Sequence, residues 1–346
     1  MAAPISPELM IVMSPGATQD QTEHVVARLE EAGAEARVSR GREATVIGAI
    51  GERELLATIP LAGFPGVEQV LPIVKPYKLV SREIAPDPTV IEARGRLIGD
   101  QWFGLIAGPC TVEGREQTLD TAQAVASAGA TMLRGGAFKP RTSPYSFQGL
   151  GQEALRILSE AREETGLPIV TELLDPRHVE AVVEVADVVQ IGARNMQNFM
   201  LLAELGRIDK PVLLKRGPSA SVEELLMAAE YVAKEGNEQI ILCERGIKTF
   251  ETATRYTLDL GSVAVLKIET HLPVIVDPSH AAGRRDLVLP LARAAAAVGA
   301  DGIIVEVHPQ PEDALCDGPQ QIRASEFGEF AREISAIASL MGRHIG

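Results

Sequence analysis

The chain has 346 residues, 33 Lys and Arg against 47 Asp and Glu, a formal net charge of −14, and 46% hydrophobic residues. That length allows one large domain or two unequal ones, with a sizeable core. So acidic a balance excludes a nucleic-acid partner, which needs a basic stripe, and suits an enzyme of small anions whose local cationic clusters focus the field in a cleft.

Residues 8–80 read as strand, helix, strand, strand, helix, strand. ELMIVM is apolar and β-prone, and Ser14, Pro15 and Gly16 break it. QDQTEHVVARLEEAG places apolar residues at helical spacing and ends at Gly33. EARVSR and ATVIGAIG flank Gly41 as a hairpin, ELLATIPLAG supplies the second helix, and VEQVLPIV the last strand. This βαββαβ order predicts a small ferredoxin-like module over residues 1–80. The proline- and charge-rich stretch that follows reads as a linker over 81–94.

From there to residue 346 short apolar strands alternate with amphipathic helices. The strand candidates are FGLIAGPC, TMLRGG, PIVTELLD, VVQIGAR, PVLLKRG, QIILCERG, PVIVDPSH and GIIVEVH. Eight βα units over this length predict a (β/α)8 TIM barrel of the α/β class at 95–346. An open doubly wound sheet is the competing reading, but no strand opens a GxGxxG turn. SVAVLKIET reads as the sixth helix, with an extra strand as the alternative.

Three cysteines, Cys110, Cys243 and Cys316, are odd in number and widely spaced. They argue against a disulfide framework and for a reducing, cytoplasmic setting. The opening MAAPISPELM lacks the pattern of a secretory signal. LVLPLARAAAAVGA, the most apolar helical stretch, is too short to cross a membrane and contains Arg293.

The strands end in unusual company: Cys110, Arg134, Glu172, Arg194, Lys215 with Arg216, Glu244 with Arg245, Asp277 with His280, and Glu306 with His308. In a barrel these ends converge on the face that carries active sites. Arg134, Lys139, Arg141, Arg194, Lys215, Arg216 and Arg245 form a cationic class suited to phosphate and carboxylate oxygens. The plainer alternative is ion pairing with Glu172, Glu244 and Glu306, above all for Arg216. Cys110, His280, Glu306 and Asp317 form a metal-competent class; mixed sulfur, nitrogen and oxygen donors suit a divalent transition metal. Taken singly, Cys110 reads as a core cysteine, His280 as a general base or a core histidine, Glu306 as an ion-pair partner and Asp317 as a turn residue. Cys243 reads as core, Cys316 as a spectator thiol that becomes redox-sensitive only if it nears Cys110, and Met196, Phe199 and Met200 as packing.

GPCTVE, LRGGAFKPRTSPYSFQGLG, VTELLD, QIGARNMQN, LLKRG, ILCERG, VDPSHAAG, VEVHP and DALCDGPQQ follow one another in order. Together they resemble 3-deoxy-D-arabino-heptulosonate 7-phosphate (DAHP) synthase, in the short type I form with an N-terminal ferredoxin-like domain. The resemblance implies a transferase of the shikimate pathway, in aromatic amino acid biosynthesis. It would condense phosphoenolpyruvate with erythrose 4-phosphate, with one divalent metal ion: manganese, iron, zinc or cobalt. It puts Cys110, His280, Glu306 and Asp317 at the metal-ligand positions. Arg194, Lys215 and Arg245, with the Ala193 backbone, match the phosphoenolpyruvate phosphate site, and Arg134, Lys139 and Lys215 its carboxylate site. Arg141 and Thr142 match the erythrose 4-phosphate contacts, and Glu172 a carboxylate that orients water. Lys139, Glu172 and His280 are thereby the expected catalytic residues. It further implies a homotetramer and an allosteric N-terminal domain inhibited by tyrosine or phenylalanine. The sister family makes 3-deoxy-D-manno-octulosonate 8-phosphate from arabinose 5-phosphate; its loop resembles KANRSS where this chain has KPRTS, which favours the four-carbon sugar. A non-catalytic anion-binding barrel is the alternative from another class.

Overall fold

The computed structural model describes residues 7–41, 44–51, 53–56, 58–72, 75–140, 143 and 145–346. It divides into two compact units, residues up to 88 with 268–271, and residues 89–267 with 272–346.

The first unit runs β1 (Pro7–Met13), α1 (Gln19–Glu31), β2 (Glu35–Arg40), β3 (Thr45–Ile50), α2 (Arg53–Leu56) and β4 (Val67–Pro72). The strands form one antiparallel sheet in the order β2-β3-β1-β4, the ferredoxin-like arrangement. Thr18 starts α1 through a capping box: its hydroxyl accepts from Gln21 N at 3.3 Å, and the Gln21 side chain returns to Thr18 N at 2.9 Å. The helix buries Val25 and Leu29 in one cluster with Ile11, Met13, Ile47 and Leu56. The second helix is shorter than ELLATIPLAG suggests, a single α-turn followed by a 3-10 turn at Leu61–Gly63. Pro60 lies between them; it lacks an N–H and disfavours the helical region for the residue before it.

In the second unit the strands are β5 (Ile91–Ala93), β6 (Arg96–Ile98), β7 (Trp102–Gly108), β8 (Met132–Arg134), β9 (Ile169–Glu172), β10 (Val188–Ile191), β11 (Val212–Lys215), β12 (Ile240–Glu244), β13 (Val274–Val276) and β14 (Gly302–His308), with the short β15 (Ile322–Arg323) and β16 (His344–Ile345). β7 to β14 pair in parallel in chain order, and β14 pairs back onto β7, closing an eight-stranded barrel. Every residue of β12 and β14 is buried, as parallel strands covered on the outside by helices require. The interior is filled by Ile106, Met132, Val170, Leu213, Ile241, Cys243, Ile275 and Ile304, a packed core rather than a channel. The surrounding helices are α3 (Arg115–Ser127), α4 (Gln152–Thr165), α5 (Val179–Val185), α6 (Phe199–Leu205), α7 (Val222–Lys234), α8 (Leu260–Glu269), α9 (Pro278–Ala282), α10 (Arg285–Ala297) and α11 (Phe327–Leu340). SVAVLKIET lies in α8, on the helical reading. Among the described residues no helix is long and apolar enough to cross a membrane.

The β5–β6 hairpin was not foreseen. It turns at Arg94 and Gly95, both with positive φ (47° and 79°), the backbone of a tight two-residue turn. Ile91, Ala93 and Ile98 join the interior cluster and stop the end of the barrel where the strands begin. The stretch read as linker thus already contains barrel core.

Candidate active site

Where the strands end, a cavity of about 650 Å³ opens. Arg134, Lys139, Glu172, Ala193, Arg194, Lys215, Arg245, His280 and Asp317 line it, together with Gln190, Lys248, Arg255 and Tyr256, which sequence reasoning did not single out. Arg141 and Thr142 lie outside the described residues. A second cleft of about 700 Å³, beside Leu289, Ile322 and Phe330, holds none of the predicted residues.

One wall is a compact donor nest. Single ligand atoms of Cys110, Glu306 and Asp317 lie within 4.8 Å of one another. His280 stands beside them, its Nε2 3.3 Å from Glu306 Oε1. Its Nδ1 lies 2.7 Å from Asp277 Oδ2; a carboxylate there holds the proton on Nδ1 and leaves the Nε2 lone pair facing the nest. Burial pushes the His280 pKa down to about 4, so the ring is a neutral donor at physiological pH. Sulfur, imidazole nitrogen and two carboxylates, with an oriented histidine, fit a divalent cation. Burial also pushes the Cys110 thiol well up, so a cation bound there would release a proton.

Lys139 bridges the nest and the cavity. Its Nζ lies 2.8 Å from Cys110 Sγ and 3.1 Å from Asp317 Oδ2. Burial alone would lower its pKa, but Cys110, Glu306 and Asp317 more than offset that and hold it above the usual lysine value. Arg134 Nη2 donates to the Cys110 carbonyl at 2.9 Å, and its Nη1 lies 3.2 Å from Glu306 Oε1. Its Nε is buried with no partner among the described residues, a donor suited to an anion in the cavity. Lys215 pairs with Asp277, and Arg245 lies over the Tyr256 ring with its guanidinium 4.2 Å from the centroid.

Opposite stands Glu172. Burial pushes its pKa up, against the lowering effect of Lys139, Lys215 and Arg134. Gln190 Nε2 donates to its Oε2 at 3.2 Å. Gly192 leaves it room, since a methyl group there would fall 2.0 Å from Glu172 Oε1.

A family model described as the DAHP synthetase I family matches residues 88–342. The chain belongs to that family. A second model, the DAHP synthase ferredoxin-like domain, matches residues 9–75. Among relatives, the phospho-2-dehydro-3-deoxyheptonate aldolase of Thermotoga maritima is 51% identical over 334 residues, 96% of this chain and 99% of that protein. The crystal structure of the Thermotoga maritima DAHP synthase matches with a TM-score of 0.78 at 50% identity, covering 99% of this chain and 100% of that one. The 2-dehydro-3-deoxyphosphooctonate aldolase of Syntrophotalea carbinolica is more distant, 36% identical over 261 residues, 70% of this chain and 93% of that protein.

Within this DAHP synthetase I barrel not every strand-end cation serves the cavity. Arg216, placed in the cationic class, turns away: its Nη1 lies 2.9 Å from both Glu244 Oε2 and Asp259 Oδ2, the ion-pairing alternative. Successive strand residues point to opposite faces, so Lys215 and Arg245 enter the mouth while Arg216 and Glu244 pack outward. Met196 is buried, as expected of packing, but Phe199 stacks on Tyr231 near the surface and Met200 is 76% exposed. Cys316 is buried, and its thiol contacts that of Cys110. Two carboxamides in DGPQQ went unread. Gln320 Nε2 donates to Glu306 Oε2 at 2.5 Å, while Gln321 accepts from Cys110 N at 3.3 Å and donates to the Cys316 carbonyl at 2.8 Å.

Proposed function

We propose that the chain condenses phosphoenolpyruvate with erythrose 4-phosphate and water, giving DAHP and phosphate, the first step of the shikimate route to aromatic amino acids. The observation that carries this reading is the cation-lined cavity abutting the Cys110, His280, Glu306 and Asp317 nest, with Lys139 between them. A divalent metal ion held by those four residues would, when bound, polarise the aldehyde oxygen of erythrose 4-phosphate as a Lewis acid.

Arg194, Lys215 and Arg245, with the Ala193 backbone, hold the phosphoenolpyruvate phosphate. Arg134, Lys139 and Lys215 hold its carboxylate, and Arg141 and Thr142 hold the sugar phosphate. Fixing both anions removes most of the entropic barrier to their meeting. The enol carbon attacks the aldehyde carbon, and Glu172 orients the water that adds to the central carbon of phosphoenolpyruvate. Lys139 donates a proton toward the nascent alkoxide, and the hemiketal phosphate then breaks at its carbon–oxygen bond. Residues 1–80 are the regulatory domain, where tyrosine or phenylalanine inhibits, and the barrel at 95–346 is the catalytic domain of a cytoplasmic homotetramer.

Phosphate release from the two substrates, with and without chelator, tests the reaction. Chelator-sensitive release is expected with erythrose 4-phosphate. Equal release with arabinose 5-phosphate would move the assignment to the octulosonate reaction, and no release with either sugar would leave an anion-binding barrel. Removing residues 1–80 should preserve turnover and abolish aromatic amino acid inhibition.

A further inference from the structure

Behind the donor nest, outside the cavity, a second buried pair faces the loop that carries Asp317. We propose that Glu113 and His308 are a positioning pair that sets the Cys110 and Asp317 loops in register; the proposal rests on the metal-nest reading above. Glu113 follows Cys110 on the loop after β7, and His308 follows Glu306 at the end of β14. Their side chains keep 8% and 6% of their surface. Neither lines the cavity.

Glu113 Oε1 accepts the backbone N–H of Leu315 at 3.0 Å, just ahead of Cys316 and Asp317. Its Oε2 lies 3.5 Å from His308 Nε2. His308 Nδ1 accepts the backbone N–H of Gln310 at 3.1 Å. A ring nitrogen that accepts carries no hydrogen, which leaves Nε2, the atom facing Glu113, as the ring's donor. Nε2 is buried and meets no partner at ordinary hydrogen-bond geometry; the carboxylate is the charge it faces.

The loop needs such an anchor. Asp317 adopts a left-handed backbone, φ 48° and ψ 29°, which a non-glycine residue holds only when its surroundings enforce it. Gln321 pins the Cys316 carbonyl from one side, and Glu113 pins the Leu315 N–H from the other. With the two residues before it fixed, Asp317 is delivered to the nest. Glu113 also ties that loop to its own, the one that carries Cys110, so the two ligand loops cannot drift apart independently.

The test is calorimetric titration of Mn²⁺ and, separately, of phosphoenolpyruvate into the full chain. The proteins are wild type, Glu113→Ala, His308→Asn, the double variant and Asp317→Ala. Glu113→Ala is expected to weaken Mn²⁺ about 10- to 100-fold, the range seen when residues behind metal ligands are lost, with phosphoenolpyruvate affinity unchanged. His308→Asn keeps an acceptor for Gln310 N–H but loses Nε2, and weakens Mn²⁺ less. Because His308 acts through Glu113, the double variant should bind Mn²⁺ no more weakly than Glu113→Ala alone. Should Glu113→Ala fail to fold, Glu113→Gln keeps an acceptor for Leu315 N–H and carries the same test with a smaller expected loss. Unchanged Mn²⁺ affinity, an equal loss of phosphoenolpyruvate affinity, or additive effects in the double variant would overturn the proposal. Wild type and Asp317→Ala binding Mn²⁺ alike would instead sink the nest reading, and this proposal with it.

Discussion

Where the barrel strands begin, Asp301 is fully buried, and its carboxylate accepts from Val274 N at 2.7 Å, Lys267 Nζ at 2.6 Å and Arg343 Nη1 at 2.5 Å. The β5–β6 hairpin seals the same end with Ile91, Ala93 and Ile98. Where the strands finish, Lys139, Arg134 and Lys215 are packed into acidic neighbours, while Arg194 and Arg245 meet no carboxylate among the described residues. Asp317 holds a strained backbone there. Charge at the first end is matched to fixed partners and serves stability. Charge at the second is left in cationic surplus around a cavity, an arrangement that pays off only when anions enter.

Substitutions that exchange these roles would break the comparison. The largest expected effect is at the finishing end: Cys110→Ala or His280→Ala should abolish chelator-sensitive phosphate release. A normal rate in either variant with metal chelated would remove the Lewis-acid role. Next comes Asp301→Ala, which strands Lys267 and Arg343 and should cost about 3–5 kcal/mol in denaturant unfolding, as breaking a buried pair does, with turnover per folded molecule retained. Ile98→Ala, at a fully buried site, should cost about 2–5 kcal/mol by the same measurement; a negligible loss would mean that the hairpin does not plug the barrel.

Acidity sharpens the contrast. Burial holds the Glu172 pKa above its ordinary 4.5. If its carboxylate orients water, kcat falls as pH drops through that raised value, on a limb lying above pH 4.5. Glu172→Gln should lower kcat and remove the limb. For stability the sign is opposite: a raised carboxyl favours the folded state at low pH and loses that advantage as pH rises through the folded value. Glu172→Gln should therefore melt higher than wild type at neutral pH, with the gap closing in acid. The smallest effect belongs to the surface. Arg115→Ala breaks an exposed pair with Glu160 and should leave both melting and turnover unchanged.

All eight barrel strands were legible because each is a short apolar run ending in a polar residue, and parallel strands buried on both faces leave no other pattern. The β5–β6 hairpin was not, because a three-residue strand on each side of Arg94 and Gly95 carries too little periodicity to stand out from a proline-rich stretch. Lys215 and Arg216 looked equivalent in LLKRG, and only strand alternation, seen against Glu244 and Asp259, separates them. His308 stood out in the sequence only by its place at a strand end beside Glu306, while Glu113, Gln320 and Gln321 are common residue types with no distinguishing spacing; their contacts are made across the fold.

The amino-acid sequence by itself determined the alternation of strands and helices and the set of thiol, imidazole, carboxylate and cationic groups at the strand ends, because periodicity and residue chemistry are local properties. The tertiary structure decided which of those groups share one cavity, which neutralise one another out of reach of a ligand, and how Asp317 is held in place, because closing the barrel brings together residues far apart in the chain, as at Cys110 and Asp317, 207 positions apart.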